Sequence, residues 1–239
     1  MDLISGAALH GFQDLVRSHG GDPVALLESN GLIVADCGNP DAYIPLRLGM
    51  QAVERAAAAT RTPDFGRRLA DRQGIEILGA VGLAARTATT FGEALGIFER
   101  YMGGYSPAIA VPLVAGAEPG TTFFCWRATL PNLLPHPQTV ELSLGITLRV
   151  LRLLVGQEYA PQSVHLTHEP LTPPADYHRY FGCPAVFGAP TAGFTLASSD
   201  LERRLTEDDP QLHRDVLARL SADPSPTPAV RAVAARDPH

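Results

Sequence analysis

The apolar periodicity of this chain changes once, around Gly103–Ser106, and that change limits the architectures open to it. Before it, hydrophobic residues recur at three and four, the repeat of a helix with one buried face. After it they come as shorter runs between turn residues. In the first part Leu3, Ile4, Ala7, Ala8, Phe12, Leu15 and Val16 form one stripe that stops at Gly20-Gly21. Asp22 caps a second helix with Pro23 at its first position, and Gly31 ends it. Pro45 opens a third, burying Leu46, Met50, Val53 and Ala57, and Pro63-Asp64 start a fourth that closes near Gly74. Thr90 and Glu93 have capping-box spacing ahead of Phe91, Leu95 and Phe98. Five or six helices are expected before Gly103.

In the second part, residues 107–114 and 121–129 flank the turn Glu118-Pro119-Gly120 and predict an antiparallel hairpin, with Pro112 keeping its first strand on an edge. Residues 138–156 alternate, yet a strand of that length is unusual, and Val140, Leu144, Leu148, Leu151 and Val155 fit one face of a long helix. A strand over 163–168, a short helix over 174–181 and a second hairpin, 185–188 with 193–197 across Ala189-Pro190-Thr191, complete the pattern. The expected fold is α+β, a helical N-terminal half packed on a mostly antiparallel sheet of about five strands. Residues 1–205 are expected to form one domain. Residues 206–239 add a helix from Pro210 to Leu220, a linker Ser221–Pro228 rich in proline, and a segment 229–239 that starts like a helix.

Composition narrows the chemistry. Nineteen basic against 25 acidic residues give a formal charge of -6, which argues against generic attraction to nucleic acid. All 19 basic residues are arginine, so Schiff-base lysine chemistry and a phosphate-loop lysine are excluded. Cys37, Cys125 and Cys183 are odd in number and far apart, giving neither a disulfide framework nor a zinc spacing. No apolar run approaches the roughly 20 residues of a membrane span, and Met1-Asp2-Leu3 does not begin a secretory leader, so a cytoplasmic protein is expected.

Few motifs carry catalytic chemistry. His165-Leu166-Thr167-His168-Glu169 has a metal-like spacing, but on a strand residues three apart diverge, so no metal is expected there. No Gly-x-Ser-x-Gly occurs, and Gly74, Gly79 and Gly82 follow helices rather than the strand a dinucleotide site requires. The candidate ligand-binding residues are Tyr105, Phe124, Trp126, Arg127, Glu141 and Arg149. Phe124 and Trp126 share one strand face and Phe123, Cys125 and Arg127 the other. Glu141 stands alone in an apolar helix, where helix-end amides, Arg127 or a ligand's polar head are possible partners.

Several short segments, in order, resemble one family. They are Pro63-Asp64-Phe65-Gly66-Arg67-Arg68-Leu69-Ala70 with Gly74 and Leu78-Gly79, and Thr90-Phe91-Gly92-Glu93-Ala94-Leu95 with Tyr101 and Ser106-Pro107. Next come Glu141-Leu142 with Arg149 and Arg152, Val164-His165-Leu166-Thr167-His168 with Pro170, and Tyr180-Phe181-Gly182-Cys183-Pro184-Ala185-Val186-Phe187-Gly188-Ala189. Together, from about the first helix to Leu205, they resemble the N-terminal effector domain, loosely named arabinose-binding, of AraC-type transcription regulators. The resemblance implies a ligand-sensing, dimerising domain and not an enzyme, working in a homodimer and needing no cofactor. It also implies helix-turn-helix units that read DNA, expected in a C-terminal domain beyond His239. The expected partner is a small effector, an apolar carboxylate if Arg127, Arg149 and Arg86 serve as its cations. The competing expectations are an enzyme pairing Glu141 with His168, and a dimerisation module without ligand.

Overall fold

A computed structural model describes residues 2–205 and 209–222. The expected linker from Asp223 to Pro228 and the segment 229–239 lie outside the described residues. The chain opens with β1 (Leu3–Ser5), a 3-10 turn at Gly6–Leu9, α1 (Phe12–Ser18) and α2 (Pro23–Ser29). The single stripe expected from Leu3 to Val16 is therefore broken. Gly11 sits at φ +76, a left-handed conformation that ends any helix entering it, and Leu3–Ser5 instead pairs antiparallel with β2 (Tyr43–Pro45). Asp22 caps α2 as expected, accepting from the amides of Val24 and Ala25.

β2 runs into α3 (Leu46–Ala59), which is followed by α4 (Phe65–Ala70), α5 (Gly79–Arg86) and α6 (Phe91–Tyr101), so six α-helices precede Gly103 where five or six are expected. At the start of α6 the Glu93 amide donates to Thr90 Oγ1, while the Glu93 carboxylate accepts from Thr89 N rather than from the cap residue itself. Then come β3 (Ile109–Ala110), β4 (Leu113–Ala115), β5 (Thr121–Ala128), α7 (Pro137–Val155), β6 (Ser163–His165), α8 (Pro174–Phe181), β7 (Ala185–Val186), β8 (Ala192–Ala197) and α9 (Pro210–Ala222). The α+β class is as read from the sequence. α9 absorbs Ser221 and Ala222, which the sequence reading had given to the linker.

Pro112 splits the first arm of the hairpin: β3 and β4 lie on either side of it and both pair antiparallel with β5. The second hairpin does not form. β8 is occupied on both sides, by β5 and β6, so β7 pairs with the far edge of β6. That pairing is parallel because α8 carries the chain back across before β7 begins. The core joins helices to sheet through fully buried Phe12, Phe65, Phe91, Tyr177, Phe181 and Phe194. α4 packs closely against α7, where a Cβ on Gly66 would stand 2.1 Å from the Gln138 carbonyl oxygen.

Candidate functional site

Strand alternation turns Phe124 and Trp126 of β5 toward the helices, and α3 and α7 cover them. Along α7, Thr139, Leu142, Ser143, Ile146 and Val150 recur at three and four and present one wall; α3 contributes Leu46, Met50 and Val53. Ile44 of β2, Phe98 of α6, and Met102 and Tyr105 in the corner after it close the rest. Together these residues line a partly open cavity of about 100 Å³, and no charged side chain lines it. The corner bearing Tyr105 is pinned: Tyr43 Oη donates to the Gly104 carbonyl at 2.9 Å, Ser106 Oγ to that of Leu3 at 2.7 Å, and Ser5 N to that of Tyr105 at 3.0 Å. Burial alone pushes the Tyr105 hydroxyl far above its usual range, so it stays a neutral donor.

Of the six residues expected to bind ligand, Tyr105, Phe124 and Trp126 line this cavity. The other three do not. Arg127 is exposed on the opposite strand face, and Arg149 is exposed with Nε donating to the Gln73 carbonyl at 2.7 Å. Glu141, fully buried, lies on the neighbouring stripe of α7, facing α4 and α8. Its Oε2 accepts from Arg67 Nε at 2.8 Å and its Oε1 from the Tyr177 hydroxyl. Arg67 also donates to Thr172 Oγ1 at 2.6 Å and stacks over the Tyr177 ring, 4.3 Å from its centroid. Burial raises the Glu141 carboxyl above the ordinary carboxylate range, and Arg67 and Tyr177 oppose that shift. This charge pair locks helices together and leaves no oxygen of Glu141 free for a ligand. Neither histidine of the metal-like motif is near it by hydrogen bond: His165 Nε2 meets Ser163 and Thr195 hydroxyls, and His168 Nδ1 its neighbour's carbonyl. Among the described residues no group of three His, Cys, Asp or Glu is placed to hold a metal, and no helix is long and apolar enough to cross a membrane.

Sequence reasoning missed the α3 wall, Ser143 and Arg67. Met50 and Val53 were read correctly as buried, but burial does not say whether a side chain meets another or a cavity. Arg67 is 74 positions from its partner, and nothing local distinguishes it from the exposed Arg68 beside it.

A second depression of about 260 Å³ lies outside the cavity, bounded by Arg47, Gln51, Glu54, Arg55 and the 133–136 loop; Met50 lines both. Glu54 ties α3 to the start of α7, accepting from Thr139 N at 3.0 Å and Gln138 N at 3.3 Å.

Residues 20–205 match the family model described as the arabinose-binding domain of AraC transcription regulators, N-terminal. The chain belongs to this family. It is 31% identical over 228 residues to the HTH-type transcriptional regulator VirS from two strains of Mycobacterium tuberculosis, a match covering 95% of this chain and 67% of each relative. The solved transcriptional regulator CdpR from Pseudomonas aeruginosa shares the fold at a TM-score of 0.62 and 19% identity, over 82% of this chain and 60% of that one. The chain thus spans about two thirds or less of these relatives. They are transcription regulators, and the family is one of regulators rather than enzymes.

Proposed function

We propose that residues 1–205 sense a small effector in the cavity between α3, α7 and β5, and that the chain works as a homodimer whose ligand state is passed on to a DNA-reading domain outside it. The observation that carries this reading is the apolar cavity itself, kept open at the junction of helices and sheet in a core that is otherwise closely packed. An apolar effector suits that lining. A carboxylate answered by Arg127 and Arg149 does not, because both guanidinium groups lie away from the cavity, and a charge taken inside would be desolvated without a partner.

The family match ending at residue 205 supports the division between sensor and connection. α9, the first part of that connection, is docked rather than free: His213 Nδ1 lies 3.1 Å from the Ala84 carbonyl and 3.2 Å from Thr87 Oγ1, and Tyr101 Oη lies 3.1 Å from Ser221 Oγ.

The chain's single tryptophan, Trp126, lines the cavity and supplies the assay. A panel of small apolar compounds is titrated against wild type and Ser143→Leu, following Trp126 emission and Tm. Binding is expected to change the emission and raise Tm in wild type, and the added bulk of Ser143→Leu is expected to abolish both. A panel in which no compound alters either signal, with sedimentation showing a dimer, would replace this reading by a dimerisation module without ligand.

A further inference from the structure

Not every polar group of the cavity wall is engaged. Thr139 Oγ1 donates to Glu54 at 3.3 Å and Thr147 Oγ1 to the Ser143 carbonyl at 2.8 Å, so both hydroxyls are satisfied within the protein. Tyr105 and Trp126 are different. Each is nine-tenths buried, and neither the phenol hydroxyl nor the indole N–H has a hydrogen-bond partner among the described residues. The Ser143 hydroxyl is likewise without a partner among them. Both the Tyr105 and the Trp126 donor atoms keep surface open to water or a ligand, and an indole N–H can only donate. Two such donors on the wall of one apolar cavity form a recognition site for an acceptor brought by a ligand.

The charge of that acceptor follows from the rest of the wall. No arginine, histidine or acid lines the cavity, and burial keeps the Tyr105 hydroxyl protonated, so an anion or a charged amine would find hydrogen bonds from hydroxyl groups but no counter-charge. Size is limited too. Engineered apolar cavities of about 150 Å³ take up benzene, so about 100 Å³ suits a compact ring or short chain. Met50 lines both this cavity and the outer depression.

Building on the effector-site reading above, we infer that this site selects an uncharged, compact apolar molecule carrying one oxygen acceptor, of the carbonyl or ether class, which Tyr105 and Trp126 hydrogen-bond. The α7 hydroxyl of Ser143 adds a third contact for ligands with a second polar atom.

Three probes of one ring size test this: cyclopentanone, cyclopentane and cyclopentanecarboxylate, titrated calorimetrically into wild type and Tyr105→Phe. The Trp126 indole resonance is followed in a ¹H–¹⁵N spectrum. Cyclopentanone is expected to bind at least about tenfold tighter than cyclopentane and to shift the indole proton downfield. Tyr105→Phe is expected to remove most of that preference. Equal affinity for ketone and hydrocarbon would overturn the inference and leave the cavity an effector site. Tightest binding by the carboxylate would overturn it as well. Failure of all three to bind would overturn the inference and leave the effector-site reading to the wider panel. The wild-type comparison stands even if Tyr105→Phe folds poorly.

Discussion

Glutamine in place of Glu141 keeps the side chain's size but removes its charge and one of its two acceptors, which makes it a sharp probe of the junction between α4, α7 and α8. In the wild type the carboxylate and Arg67 Nε are 2.8 Å apart, with side-chain exposures of 0% and 5%, so neither charge can turn to water when the other is lost. The amide oxygen of glutamine still accepts from Tyr177, so the cost is mainly that of an unpaired guanidinium in the core, about 3–5 kcal/mol. At roughly 2–4 °C per kcal/mol for a domain of this size, Tm is expected to fall by about 6–20 °C. That takes a large share of the roughly 5–15 kcal/mol available to a typical domain. Urea unfolding followed by Trp126 emission and circular dichroism measures it for Glu141→Gln, Arg67→Met and the double variant. Because the double variant leaves no unpaired ion, it is expected to be more stable than the summed single effects allow, by at least about 1 kcal/mol. Arg67→Met should also be pH-dependent. The carboxyl, raised by burial and now without its cation, contributes stability below its unfolded pKa and loses it as pH rises, so this variant should be weaker at neutral than at acidic pH. A cost for Glu141→Gln below about 1 kcal/mol, or strict additivity in the double variant, would refute the claim that charge pairing holds this junction.

Three further outcomes are expected. Gly66→Ala puts a methyl group 2.1 Å from the Gln138 carbonyl oxygen and 3.1 Å from Leu142 N, so α4 must move off α7 and denaturant unfolding should show a loss of about 1–3 kcal/mol or more. His213→Ala removes the buried ring that holds α9 to α5; hydrogen exchange should speed up across 210–222 and stay unchanged in β5 and β8. Burial raises the Glu54 carboxyl from its ordinary 4.5, against the pull of the Thr139 and Gln138 amides, so its contribution is complete below that value and is lost as pH rises. Wild type should therefore lose stability relative to Glu54→Gln as pH rises above about 4.5; a difference that does not change with pH counts against this assignment.

The parts of the fold legible in the sequence are those set by local chemistry. Asp22, Pro23, Pro45, Thr90 and Glu93 mark helix starts because a cap acts within one turn, and the 138–156 segment was separable from a strand by length alone. What failed depended on partners far along the chain. Leu3–Ser5 has the spacing of a helix, yet becomes a strand because Tyr43–Pro45 is available to pair with it. The expected pairing of residues 185–188 with 193–197 ignored that β8 already has two neighbours, a fact of the sheet and not of the turn. The site divides in the same way. Strand alternation puts Phe124 and Trp126 on the cavity face, and the same alternation puts Arg127 on the other, away from any ligand held there. Glu141 was rightly singled out as odd in an apolar helix, but the sequence holds 19 arginines and only the fold selects Arg67.

On the proposed reading, α6 is the element that links a ligand to whatever follows the domain. Phe98, and Met102 just beyond its end, line the cavity, while Glu93 Oε1 lies 3.4 Å from His213 Nε2 and Tyr101 meets Ser221 on α9. α7 is a poor carrier by comparison: Glu54 ties its first turn, Gly66 packs on its backbone without clearance, and Arg67 grips Glu141. A ligand therefore meets one rigid wall and one that continues to α9, and only a difference in affinity between two positions of that second wall can move α9. Acceptor contacts at Tyr105, in the corner that follows α6, act where such a difference is produced, whereas apolar contacts to α7 add affinity to both positions alike.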